Sequence, residues 1–132
     1  MKAITIHQPW ATLIAIGAKR FETRSWSTKY RGALAIHAAK KIDREACERE
    51  PIKSVLAKYG YTVDNLPTGA VVATAELNEC FLVKHDVIGG VVLLESDKRN
   101  THFNTLDNEY YFGEYSSGRY AWKLTDIEQI DE

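Results

Sequence analysis

Apolar and polar residues alternate over residues 3–7, AITIH, the period of a half-buried strand with Ile4 and Ile6 facing inward. Gln8 ends that pattern. Pro9 brings a fixed backbone angle suited to a first helical position, and Trp10, Leu13, Ile14 and Gly17 then recur at helical spacing. A helix is predicted there, stopped by Gly17 in the left-handed conformation. RFETRSW returns to period two, so Arg20, Glu22, Arg24 and Trp26 share one face while Phe21, Thr23 and Ser25 share the other. In ALAIHAA, Leu34 and Ile36 point one way; Ala33, Ala35 and His37 form a small-residue face that leaves room beside it.

Asp43 is placed to cap a helix through REACERE, Pro51 to open a second helical turn, and Gly60 to stop it after KSVLAKY. DNLPTG carries turn chemistry. AVVATAELNECFLV is a long β run, with Val71, Ala73, Ala75 and Leu77 on one face and Val72, Thr74 and Glu76 on the other. Residues 84–108 read as irregular, because VVLLES is short, Gly89-Gly90 interrupts, and SDKRNTHFNT is polar. The ending predicts a helical turn in NEYYF, a Gly-containing loop, and a last strand over residues 119–125 in which Tyr120, Trp122 and Leu124 alternate. No internal repeat or low-complexity segment interrupts the series.

With 132 residues, 45% hydrophobic and 27% charged, the chain has the size of one ordinary domain, expected to span residues 1–132 and to fold without disulfides or a structural metal. Seventeen Lys and Arg against eighteen Asp and Glu give a net charge of -1, so no global basic field draws the chain to polyanions, and any such contact must be local. Cys47 and Cys80 are far apart and suit a reducing compartment. MKAITIHQPW is too polar for a signal segment, and no run approaches 18 apolar residues. A cytoplasmic protein without membrane contact, a monomer or weak dimer, is expected. His7, His85 and His102 lack metal-ligand spacing, so no metal and no cofactor are expected. The absence of GxxxxGKS, GxGxxG and GxSxG strings argues against P-loop and serine-hydrolase chemistry.

The densest polar cluster is GAKRFETR, residues 17–24, three cations with one carboxylate. Cations suit a phosphate or polarised carbonyl, and a carboxylate among them can accept a base N–H. The commoner origin of such a cluster is a solvated strand edge with surface ion pairs. The four strings HQPWATLIAIGAKRFETRSW, YRGALAIHAAK, PTGAVVATAELNEC and FGEYSSGRYAWKL change that balance. In order along nearly the whole chain, they resemble the successive blocks of ASCH domains, in particular a bacterial and phage subgroup with QPWA and GxKxxExR. The resemblance implies an α+β fold, a PUA-like mixed β-barrel with flanking helices, and a cleft lined from the first helix, the following strand and the last loop.

Matched position by position, Lys19, Glu22 and Arg24 correspond to the polar signature of that cleft. Gln8 and Trp10 belong to the helix-opening block, where the indole either stacks on a base or packs beneath the cleft. Arg31 and His37 fall in the next block, His37 as a ligand donor or as an ordinary barrel histidine. Ser117 and Arg119 sit in a turn that could close over an anion or could be a plain hairpin. Glu76, an acid within the long β run, calls for a cationic partner such as Arg24 or Lys19. Tyr115 and Trp122 add aromatic surface or core.

Some small proteins resembling these are amidohydrolases acting on N4-acetylcytidine through a lysine, a threonine and a glutamate. Lys19 matches the lysine, but Glu22 stands where those enzymes carry threonine, and Thr23 points to the opposite strand face. The expected function is therefore binding of RNA, a nucleotide or a modified nucleoside. A metal-independent hydrolase or ribonuclease using Lys19 and Glu22 is the alternative, and a partner-binding adaptor ranks below both.

Overall fold

The computed structural model describes residues 1–130, and for residues 85–88 the backbone alone, so the side chain of His85 lies outside the described residues. The elements in chain order are β1 (Lys2–Gln8), α1 (Trp10–Ala15), β2 (Phe21–Arg24), β3 (Gly32–Ile42), α2 (Arg44–Cys47), α3 (Ile52–Lys58), β4 (Ala70–Ile88), β5 (Val91–Glu95), β6 (Asn100–Asn104), α4 (Asn108–Phe112) and β7 (Tyr120–Gln129). They form two compact units: unit 1 holds residues 1–19, 33–76 and those from Asp126 onward, and unit 2 holds residues 20–32 and 77–125.

In unit 1, β1 runs parallel to β3, with Lys2 opposite Leu34 and Ile6 opposite Ala38, and β3 neighbours β4. The period-two pattern of the sequence is realised here, since Leu34, Ile36 and Ala38 are buried while Ala35 and His37 are half-buried. α1 packs against β1 and α2 against α3. Gly17 has φ +80°, and the last turn of α1 closes on it: Gly17 N donates to Ile14 O and Ala18 N to Leu13 O, at 2.9 and 3.0 Å. That pair of bonds is the Schellman arrangement, and it satisfies carbonyls a helix end would otherwise leave open. Asp43 caps α2 as expected, its carboxylate accepting from Ala46 N at 3.0 Å, although α2 is one turn long and REACERE does not continue as helix.

In unit 2, β2 pairs antiparallel with β7, Glu22 opposite Trp122 and Arg24 opposite Tyr120. The second half of β4 starts an antiparallel meander with β5 and β6. This overturns the expectation that residues 84–108 are irregular. Ile88 pairs with Val91, so Gly89 and Gly90 form a two-residue hairpin loop, with φ +59° and +78°. Positive φ at both central residues is what a type I′ hairpin demands, and Gly-Gly meets it without a Cβ clash. The second turn, residues 96–99, is held by Ser96, whose hydroxyl accepts from Lys98 N and Arg99 N at 3.2 Å. NTHFN then alternates, Thr101 and Phe103 half-buried between exposed neighbours. Phe21, Phe81, Val83, Val92, Leu94, Tyr115 and Ala121 make the core of this unit, with Phe103 packed on it. Phe103 meets the Tyr115 ring edge-on at 4.9 Å and stacks near Phe21 at 6.2 Å.

Candidate functional site

Cross-strand partners in an antiparallel ladder project on the same face, so Glu22, Arg24, Tyr120 and Trp122 share one side of the β2/β7 ribbon. The Arg24 Nε lies 3.1 Å from Glu22 Oε2, both side chains being largely buried. The Arg24 guanidinium carbon also sits 5.3 Å from the Trp26 ring centroid and 5.8 Å from that of Trp122. Such distances give cation–π attraction, stronger where water is excluded. Trp122 is buried and its indole N–H donates to Trp26 O at 3.1 Å, whereas Trp26 is 55% exposed. An arginine between a buried and an open indole is thus fixed from one side and leaves an aromatic plane facing solvent.

What fixes the start of β2 is Glu109, which sequence reasoning passed over. Its side chain is 0% exposed and accepts from Arg20 N at 2.8 Å, Arg20 Nε at 3.3 Å, Phe21 N at 3.3 Å and the Tyr115 hydroxyl at 3.5 Å. Burial, then the Glu109 charge and its hydrogen bond, push the Tyr115 hydroxyl well above the usual phenol range. Asp107 caps α4 by accepting from Glu109 N at 2.9 Å and also meets Arg20 at 3.2 Å. A carboxylate in a short helical turn, 89 residues from its main partner, has no local sequence signal beyond the Asp107 cap before it.

The other expected residues divide by unit. In unit 1, Lys19 is 1% exposed, its backbone N–H closing onto Leu13 O at 2.9 Å just after the Gly17 turn. Gln8 is buried and its amide is committed to the fold: it donates to Thr12 Oγ1 at 2.8 Å and Pro67 O at 2.7 Å and accepts from Thr12 N at 3.0 Å. Trp10 is half-buried at the start of α1. His37 is half-buried with Nδ1 3.3 Å from Thr5 Oγ1, and Glu76 is half-buried in β4. In unit 2, Ser117 donates to Lys84 O at 2.7 Å, and Arg119 donates to Glu114 O at 3.1 Å and Thr23 O at 3.4 Å. The donors of that turn thereby tie the chain to β2 and β4. Glu22 is an ion-pair partner of Arg24.

Unit 2 also contains a cleft of about 660 Å³, lined by residues of the 27–31 segment, β4, the 95–98 turn and Tyr120, with Arg31 on its wall. Arg31 Nη1 donates to Thr28 O at 3.0 Å and Tyr30 O at 2.8 Å, which orients the guanidinium. Glu79, buried in the same wall, would be pushed up by burial, but hydrogen bonds from Ser96 and Arg99 and the charges of Arg99 and Lys123 outweigh this and hold it below the usual carboxylate value. Burial raises the Cys80 thiol, against smaller lowering effects from a Thr28 backbone bond and Arg31, so it is present as the thiol at neutral pH. No cluster of His, Cys, Asp or Glu able to hold a metal occurs among the described residues.

The mixed pairing, parallel between β1 and β3 and antiparallel in the β2/β7 ribbon and the meander, with short helices between, defines an α+β protein of the PUA-like fold. A model of the ASCH domain matches residues 4–131, and the chain belongs to the ASCH domain family, whose members generally bind RNA. Among curated proteins it is similar to activating signal cointegrator 1 of Homo sapiens and of Mus musculus, each 34% identical over 84 residues. Those alignments cover 61% of this chain and 14% of each relative, so the likeness is to a small part of much longer proteins. No helix among the described residues is long and apolar enough to cross a membrane.

Proposed function

We propose that this chain binds RNA or an RNA-derived nucleotide or modified nucleoside, and that the face carrying Glu22, Arg24, Trp26 and Trp122 is a contact surface for it. The observation that carries the reading is the open Trp26 plane backed by a guanidinium fixed against a second indole. Every base has a π face, so an exposed aromatic supplies sequence-tolerant stacking, while Arg24 supplies charge and Glu22 an acceptor for base amino groups. The family's general RNA binding supports it independently. A local site also suits a chain of net charge -1.

The test is fluorescence anisotropy with a fluorescein-labelled random-sequence RNA hexamer. Base–aromatic stacking contributes about 1–3 kcal/mol, so Trp26→Ala is expected to weaken binding roughly five- to 150-fold. Equal affinity in the variant and the wild type would refute this surface.

A second reading, a metal-independent hydrolase of acylated nucleosides, rests on Lys19. An ammonium-bearing side chain only 1% exposed is costly to bury, and buried lysines are a recurrent source of proton-transfer groups. Chromatography after incubation with N4-acetylcytidine would show cytidine in wild type and none with Lys19→Ala; no product in either removes this reading.

A further inference from the structure

The cleft of unit 2 lies on the same ribbon face as the Trp26 surface, since Tyr120 lines it and is the ladder partner of Arg24, and Ser27, the residue after Trp26, lines it too. Its volume, about 660 Å³, falls in the range of about 300–1,000 Å³ usual for pockets that take a small organic ligand. Its charge is less balanced than its residue list. Lys29, Arg31 and Lys98 line it together with Glu79, Glu95 and Asp97. Yet Glu79 is held by Arg99 at 2.9 Å and Glu95 by Lys84 at 3.6 Å, cations outside the lining. That leaves Asp97 alone against the three cations, and neither Lys29 nor Lys98 enters an ion pair among the described residues. Lys29, Arg31 and Lys98 are exposed, while Tyr120, Cys80 and Leu82 are half-buried.

We infer that this cleft is a second nucleotide subsite, so that the ligand is a single-stranded RNA segment of at least two nucleotides, one base on Trp26 and the next in the cleft beside Tyr120, its phosphate among Lys29, Arg31 and Lys98. The inference rests on the reading of the Trp26 face as an RNA surface and extends it to substrate class. Single-stranded bases can be splayed onto aromatic side chains and their phosphates held by a local basic rim; stacked duplex bases cannot. Free nucleotide and strand share this chemistry but not the demand for both subsites.

The experiment measures anisotropy of the labelled RNA hexamer with wild type, Lys29→Ala/Lys98→Ala and Trp26→Ala, each checked for an unchanged melting curve, across a salt series. Removing two phosphate-facing charges is expected to weaken hexamer binding about tenfold and to flatten the slope of log affinity against log salt by about 1.4, each single-strand phosphate contact contributing roughly 0.7. Unlabelled hexamer should displace the probe at least tenfold better than uridine monophosphate or the pre-annealed duplex of the same length. Wild-type affinity and slope in the double lysine variant, with loss in Trp26→Ala, overturn the cleft and leave the Trp26 surface standing. Loss in the lysine variant alone removes the Trp26 surface and, with it, the two-nucleotide ligand, even though the cleft cations contribute. Equal displacement by mononucleotide overturns the two-nucleotide ligand, and no hexamer binding by wild type overturns both subsites.

Discussion

Glu109 and Glu22 are carboxylates of the same unit, acting on the same short strand, with opposite degrees of commitment. Glu109 is sealed from solvent and accepts from two backbone amides, a guanidinium and a phenol at the start of β2. Glu22, two residues into the strand after Arg20, has an ion pair with Arg24, and Arg24 in turn lies against an open indole. One acid anchors the ribbon; the other holds the guanidinium that backs the open Trp26 residue. If the Trp26 face is the RNA surface proposed above, stability and recognition fall on different parts of this short strand, and substitutions should separate them.

The largest expected effect is on the anchored side. Glu109→Ala removes the acceptor for Arg20 N and Phe21 N and strips Arg20 of one of its two acids, so urea denaturation should show a loss of about 3–5 kcal/mol. A loss below about 1 kcal/mol would place Glu109 and Glu22 on the same footing. Next comes Gly113→Ala: a Cβ there would lie 2.9 Å from Tyr115 Cε2 and 3.1 Å from Thr23 Cγ2, on the side of β2 opposite Glu22. Overpacking of this kind costs about 1–3 kcal/mol, and thermal denaturation should register it while hexamer affinity of the folded variant changes little. A large affinity loss in the folded protein would show that the two sides are coupled.

A smaller effect follows from pH. The Tyr115 hydroxyl is raised above its ordinary value of 10.0, first by burial and then by Glu109, so the fold favours its neutral form. That contribution is complete below about pH 10 and is lost as pH rises through the folded-state value. Tyr115→Phe should therefore flatten the fall of stability between neutral and strongly alkaline pH. An unchanged alkaline slope would mean that the fold does not hold Tyr115 in its neutral form.

How much of this was legible in the sequence depends on how local each cause is. The Gly17 stop, the Asp43 cap, the Pro51 start of α3 and the alternation in ALAIHAA all act within a few residues, and all were readable. The polar face of RFETRSW was readable too, including Trp26 beside Arg24. The meander is not legible because Gly89-Gly90 reads as an interruption as readily as it reads as the residue pair a type I′ loop needs, and because alternation in NTHFN is carried by only Thr101 and Phe103. The cleft went unseen for the same reason, as the 96–99 turn forms part of its wall. Glu109 was hidden for a different one: its partners Arg20 and Phe21 are set by long-range packing, which no period in NEYYF encodes. Gln8 matched a family block, yet its amide is taken up in entering α1, something only the positions of Thr12 and Pro67 reveal.

The central claim, that Trp26 is an open stacking surface for RNA, is tested most directly by the indole N–H resonances of Trp10, Trp26 and Trp122 in a titration of the nitrogen-15-labelled protein with the RNA hexamer, assigned through Trp26→Phe. The account predicts that the Trp26 resonance moves progressively and saturates with the bound fraction, with Trp122 following it through the shared Arg24 contact. A Trp26 resonance that stays in place while the hexamer is demonstrably bound would contradict it.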